Sequence, residues 1–456
     1  MPRRSRPMQA LALVAILACL SANTARADQP EVNADGVPLS SIATLLPGNG
    51  DAGGHRKWLA ERGITYTLLY TGDLLGNVSG GLRRGWVNQG KLEASVSIDL
   101  EKLAGIQGLS FYSNAFFIHN NGRIRRDYVG GINTIAAIEA VPTTRLSELW
   151  FEQKFWSGQA SFRVGQLAAD TEFFFSGISA LFLQSDWATI AALNLPSGGP
   201  AYPLATPGVR LKVDPNPNWS LLFALFNGDP AGPGANDEQL RNRYGLNFRV
   251  TDRPLIMGET QYRINRGRED TGLASQIKLG FWGHLGRFAD QRYASDGLLL
   301  ANPLSSGVAA VRRGNWGLYA VMEQQIYRPA GGDADSGISL FGRISYAPSD
   351  RSTIGFYADG GIVFAGLIPG RPDDKFGASL IYARYSDAAR AFDRDVIAQT
   401  GIPGVVRDYE ANLELTYQAQ MTSGWTMQPV LTYVWHPSGD ARRNAVVTGV
   451  RSMIRW

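Results

Sequence analysis

The sequence predicts an all-β protein: a single transmembrane antiparallel β-barrel of about 16 strands, with a long loop folded inward to constrict its pore. Three observations carry that expectation. Apolar and polar residues alternate with a period of two over most of the chain, the period at which strand side chains change face. Beyond residue 20 no apolar run is long enough to cross a bilayer as a helix. The chain also opens with an export signal. A closed barrel is the remaining way to satisfy every backbone group in lipid.

From the N terminus, Arg3, Arg4 and Arg6 precede an apolar run from Ala10 to Leu20, and Ala25-Arg26-Ala27 follows. This order describes a signal peptide over 1–27, with cleavage expected after Ala27. Its four arginines account for the whole formal charge of +4, leaving 40 basic and 40 acidic residues in the remainder. A nucleic-acid partner therefore loses its electrostatic support. The single cysteine, Cys19, falls in the apolar run; Ile16-Leu17-Ala18-Cys19 also loosely matches a lipid-attachment box, and lipidation stays open. Residues 28–62 are expected to form a periplasmic leader, with a short helix near Gly54 to Glu61.

The barrel is expected over 63–456. Leu92, Ala94, Val96, Ile98 and Leu100 alternate with Lys91, Glu93, Ser95, Ser97 and Asp99. Tyr409, Ala411, Leu413, Leu415 and Tyr417 alternate with Glu410, Asn412, Glu414 and Thr416. Tyr244, Leu246, Phe248 and Val250 show the same pattern. About 17 such segments can be counted. Bacterial single-chain barrels have even strand numbers, so one is surplus, split or missing, and 16 is preferred over 18. Long loops are expected at 120–144, 168–206, 227–241, 287–312 and 387–406. A β-sandwich also alternates, but 17 segments exceed an ordinary sandwich. The apolar faces also carry aromatics such as Tyr66, Tyr70, Tyr433 and Trp435, which suit a membrane interface.

Several stretches resemble the carbohydrate-selective outer-membrane porin family. They are GGHRKWLAERGI with YTGDLLGNVSGGLRRG, LWFEQKFW and SFRVGQLAADTEFF within 149–174, and TPGVRLKVDPNPNWSLLFALFNGDPAGPG at 206–234. GLIPGRPDDKFG at 366–377 and DYEANLELTYQAQMTSGWTMQPVLTYVWHPSG at 408–439 follow in order. The resemblance implies a sixteen-stranded barrel in the outer membrane of a Gram-negative bacterium. It also implies diffusion of sugars through a constriction of charged and aromatic side chains. Two departures are Trp456, where the family more often has Phe, and His55, where it more often has Leu or Ala; neither touches the pore.

Alternation also nominates the pore lining. If Leu149, Phe151 and Phe155 face lipid, Glu148, Trp150 and Glu152 face the lumen. Arg163, Arg210, Lys212, Glu259, Arg263, Glu410 and Glu414 point inward by the same rule. In the long loop, Asp170 and the pair Asp186–Trp187 offer carboxylates beside an aromatic face, a combination that suits a sugar ring. A lining of mixed sign suits a neutral polyhydroxyl solute, whereas an anion channel would show a basic ring. Each of these charges could instead pair with a neighbour and merely solvate a generic pore.

Catalysis finds little support. His55, His119, His284 and His436 show no metal-ligand spacing, and no nucleophile motif is present. No catalytic residue, metal or cofactor is expected. The expected partners are small sugars, outer-membrane lipid and, during biogenesis, the barrel-assembly machinery; a homo-oligomer stays open. The alternative functions are a general or organic-acid porin and a non-conducting structural barrel. Val446, Val450, Ile454 and Trp456 share one face opposite Arg451 and Arg455, so the C terminus reads as a last strand whose terminal aromatic is an assembly signal.

Overall fold

The computed structural model describes residues 32–185, 187–267 and 270–456; the expected signal peptide, Cys19 and Asp186 lie outside them. Sixteen strands close into a barrel in which each strand pairs with its sequence neighbours. They begin with β1 (Ile64–Gly80), β2 (Gly85–Asp99), β3 (Leu109–Asn120) and β4 (Thr143–Phe155). Next come β5 (Ala160–Leu167), β6 (Thr206–Asn216), β7 (Trp219–Phe226) and β8 (Leu255–Ile264). β9 (Ser275–Ala294) and β10 (Ala309–Tyr327) are the longest. β11 (Gly337–Tyr346), β12 (Ile354–Ala365), β13 (Lys375–Tyr385), β14 (Tyr409–Thr422), β15 (Trp425–Trp435) and β16 (Asn444–Arg455) complete the wall.

The barrel closes where β16 pairs antiparallel with β1. On that seam Asp73 lies opposite Arg451, and the two form a buried bidentate pair at 2.7 and 2.9 Å. Such a pair adds little net stability, yet a register slip would leave both charges buried and alone. It therefore pins the closing register.

The N-terminal described segment and the C terminus lie at the rim of short connections, such as 156–159, 217–218 and 423–424. The long connections, 121–142, 168–205, 227–254, 295–308 and 386–408, crowd the other rim, which by this asymmetry is extracellular. At the first rim, β16 ends before β1 does, leaving the carbonyl of Tyr66 without a strand partner. Arg56, on the helix His55–Glu61, stacks over the Tyr66 ring and donates to that carbonyl at 2.8 Å. The N-terminal segment thus covers an edge that would otherwise be open.

The surplus segment of the alternation count is 244–250. β5 stops at Leu167, so the upper part of β4 lacks a neighbour; instead the Leu146 amide donates to the Tyr244 carbonyl at 3.0 Å. Gln166 donates from inside the wall to the Gly245 carbonyl at 2.9 Å. Tyr244, Leu246, Phe248 and Val250 all expose their side chains. This stretch patches the wall without joining a ladder, which is why it carries a strand's hydrophobic pattern.

Two expected loops are shorter or more ordered than the pattern implied. Strands β9 and β10 run through much of 287–312, and 387–406 contains the helix Asp387–Thr400.

Candidate functional site

The connection 168–205 folds into the barrel rather than over it. Its apolar residues Phe173, Phe174, Ile190, Ala191 and Leu195 pack against inner-wall Tyr112, Leu222, Trp282, Tyr319 and Tyr357 in one buried cluster. Phe174 stacks on Tyr319 with ring centroids 4.2 Å apart. A loop brought inside must still satisfy its backbone groups, and inward side chains of the wall do so. Glu259 accepts from the Phe174 amide at 2.9 Å. Glu323 accepts from the Ser176 hydroxyl at 2.7 Å and the Ile178 amide at 3.1 Å. Glu414 accepts from the amides of Leu183 and Gln184 at 2.8 and 2.9 Å.

Donors of the wall complete the cradle. Lys278 reaches the Phe175 carbonyl at 2.7 Å, Arg343 the Phe174 carbonyl at 3.1 Å, and Gln428 the Leu181 carbonyl at 2.6 Å. A second inward loop, 121–142, is held by Glu410, which accepts from the amides of Ile132, Asn133 and Ser438 at 2.8, 2.7 and 2.7 Å. Thr189 donates to Asn133 at 2.9 Å, joining the two loops.

Beside this cradle, β4, β5 and β6 present a row of charge. Glu152 lies opposite Arg163, and Arg163 lies opposite Arg210. The inward loop adds Glu172. Arg210 binds Glu152 at 2.9 Å, Glu172 at 2.8 and 3.0 Å, and the Ser161 hydroxyl at 2.7 Å. Arg163 stands 3.6 Å from Glu172 and 3.8 Å from Glu152. Its guanidinium lies 3.8 Å from the centroid of the Trp150 ring, and Tyr112 packs on that indole at 5.0 Å. Gly165 is opposite Trp150 with φ +147; a Cβ there would sit 2.6 Å from the Trp150 Cα, so the indole's seat requires glycine. Burial pushes the Glu172 carboxyl up, but Arg163 and Arg210 outweigh it and hold the group below its ordinary value. Of the four charged side chains, Glu172 is the most open, 19% exposed against 2% for Arg210.

The remaining nominated residues are placed as follows. Glu148, Glu152, Arg163, Arg210, Glu259, Glu410 and Glu414 are buried on the inner face. Glu148 accepts from the Ala168 amide at 3.2 Å and Asp170 from the Tyr202 amide at 2.7 Å, so both brace the root of the loop. Lys212 and Arg263 stand nearer the periplasmic rim, both beside Asp214, at 3.3 and 3.7 Å. Trp187 is instead a packing residue: it is 6% exposed within the apolar cluster, and a sugar ring has no access to its face. Glu323, Lys278 and Arg343 also anchor the loop, beyond the residues that alternation nominated. Each is a charged residue in an apolar strand context, the same signal that revealed Glu414.

A closed wall, an inward loop and a charged-aromatic row together describe a selective channel. The model of the carbohydrate-selective porin family, OprB, matches residues 83–456. The chain belongs to that family. The porin is 24% identical over 428 residues to Porin B of Pseudomonas aeruginosa, covering 88% of this chain and 89% of that protein. Its fold is similar to that of Pseudomonas putida OprB in the structure determined at high pH, with a TM-score of 0.80 and 21% identity over 90% of this chain and 98% of that one. The low-pH structure of the same Pseudomonas putida protein gives 0.53 at 18% identity, over 89% and 97%. The porin is thus a channel of the Gram-negative outer membrane for carbohydrates, and its architecture is that of a pore rather than an enzyme.

Proposed function

We propose that the porin passes neutral sugars by diffusion, without catalysis, along the network Glu152–Arg163–Arg210–Glu172, which they meet at Glu172, its most open member. The observation that carries this reading is the shared pairing: both arginines divide the same two carboxylates, so fixed donors and acceptors alternate along one network, with buried Trp150 packed against Arg163. The balanced signs give no strong field for an ion. Sugar hydroxyls can exchange for individual bonds of the network without leaving a charge unpaired. Such exchange is weak, as passage demands. A millimolar site is worth roughly 4 kcal/mol, enough to enrich the solute and small enough to release it quickly.

In planar bilayers, channel conductance is expected to fall saturably as glucose or maltose is added. Indifference to both sugars together with strong anion preference would favour an organic-acid porin, and absence of conductance would favour a structural barrel. Glu172→Gln is expected to weaken sugar block by about tenfold, the loss of one charge-assisted hydrogen bond at the accessible edge of the row. Unchanged block in that variant would remove Glu172 from the sugar path.

A further inference from the structure

The outer wall of β9 and β10 presents Ile277, Leu279, Phe281 and Leu285 on one strand and Trp316, Leu318 and Met322 on the other, all exposed to lipid. Further toward the extracellular rim the pattern breaks. Arg287 of β9 lies directly opposite Arg313 of β10, and both are exposed. Among the described residues neither side chain has a hydrogen bond or an ion pair, and the same is true of exposed Arg253, one residue before Pro254, whose carbonyl accepts from the Leu285 amide at 3.0 Å. Carboxylates nearby in the chain are already engaged: Asp252 by Arg249, Asp290 by Arg312, and Asp350 by Arg351.

Like charges directly opposite each other on a sheet disfavour the pairing. Here no acid offsets that cost. The height of the pair suggests what does. From Ile277 to Arg287 the strand advances roughly 33 Å. At a tilt of about 40° this is roughly 25 Å along the barrel axis, the height of an outer-membrane barrel's apolar band. Trp316 and Tyr346, with ring centroids 6.0 Å apart, mark the aromatic girdle just below. The arginines therefore stand at the headgroup level of the extracellular leaflet, continuous with the lipid-facing wall.

We propose that Arg287 and Arg313, with Arg253 beside them, dock the phosphate of a phosphorylated lipid of the extracellular leaflet. A guanidinium offers two parallel donors to phosphate oxygens, and a phosphate between two arginines turns their repulsion into a bridge. The acyl chains of the same lipid would lie along Leu285, Phe281 and Leu318. The proposal concerns the outer wall alone and is independent of how the pore selects its solute.

The test is retention of lipid A by the detergent-purified porin, followed by native mass spectrometry. The wild type is expected to retain bisphosphorylated lipid A and to release the dephosphorylated form. The Arg287→Gln/Arg313→Gln variant is expected to bind the phosphorylated lipid about thirtyfold more weakly, with each arginine contributing about equally. Its heat-dependent gel mobility and its conductance should match wild type, since the side chains touch neither the seam nor the lumen. Equal retention of the two lipids, or of one lipid by both proteins, would overturn the proposal. Full displacement of lipid A by millimolar inorganic phosphate would also overturn it, leaving a site for free anions.

Discussion

Glu414→Ala is expected to raise single-channel conductance severalfold and to abolish most of the sugar block, while the barrel itself still assembles. The carboxylate is buried and accepts the amides of Leu183 and Gln184. Hydrogen bonds to a charged group are each worth about 1.5–3 kcal/mol, and removing the acceptor also strands two buried donors. The wall's other holds on this segment, Gln428 on the Leu181 carbonyl and the Gln184 side chain on Ser379, leave those two amides unsatisfied. Leu183 is also buried in an apolar cluster with Val87, Ile135 and Val430, and its carbonyl accepts from the Ala137 amide of the neighbouring loop at 2.8 Å. Loosening it therefore disturbs both inward loops.

The barrel should tolerate this change because its ladders do not pass through Glu414's side chain. Heat-dependent migration on gels checks that point separately from conductance. Glu414→Gln should be milder, since one amide oxygen can still accept while the new NH2 group opposes the second donor. Adding Glu323→Ala removes the anchor at Ser176 and Ile178 as well and should widen the pore further. If Glu414→Ala conducts and is blocked as wild type, the carboxylate does not hold the constriction.

The same residues mark where the sequence was legible and where it was not. Alternation identifies the face of Glu414 and Glu410, because a period of two is a local property of the strand. It cannot say whether an inward carboxylate meets water or a loop, because the amides it binds come from 131–133 and 183–184, and a backbone amide has no sequence signature. Trp187 failed as a sugar contact for a related reason. An aromatic beside an acid reads alike whether its face is open or packed, and the packing depends on Leu222, Trp282 and Tyr319 from distant strands. The ends of β9 and β10 were hidden by their height. Beyond the apolar band the outward positions become Arg287 and Arg313, so the strands continue while their hydrophobic signal stops. The converse holds at 244–250, where an apolar face toward lipid produced a strand-like pattern without a ladder.

Deletion of Trp456 is expected to lower the amount of inserted porin severalfold in cells, yet to leave the sugar block of the molecules that do insert unchanged. The terminal residue's amide donates to Leu68 at 2.7 Å and its carbonyl accepts from Leu68 at 3.0 Å, so it contributes the last two rungs of the β1–β16 seam. Its ring lies against Gly50, where an added Cβ would be 3.3 Å away, at the rim covered by the N-terminal segment. Two backbone hydrogen bonds contribute about 2 kcal/mol in net terms. That is small beside a ladder of sixteen strands, so loss of stability alone predicts a modest shift in urea midpoint and little loss of product. An assembly signal predicts the reverse: near-normal folding of the purified chain into detergent, but accumulation of unfolded chain in the periplasm. Trp456→Phe separates the two further, since it keeps a terminal aromatic and should restore insertion. Normal insertion of the deleted protein would show that the terminal aromatic is only the end of a strand.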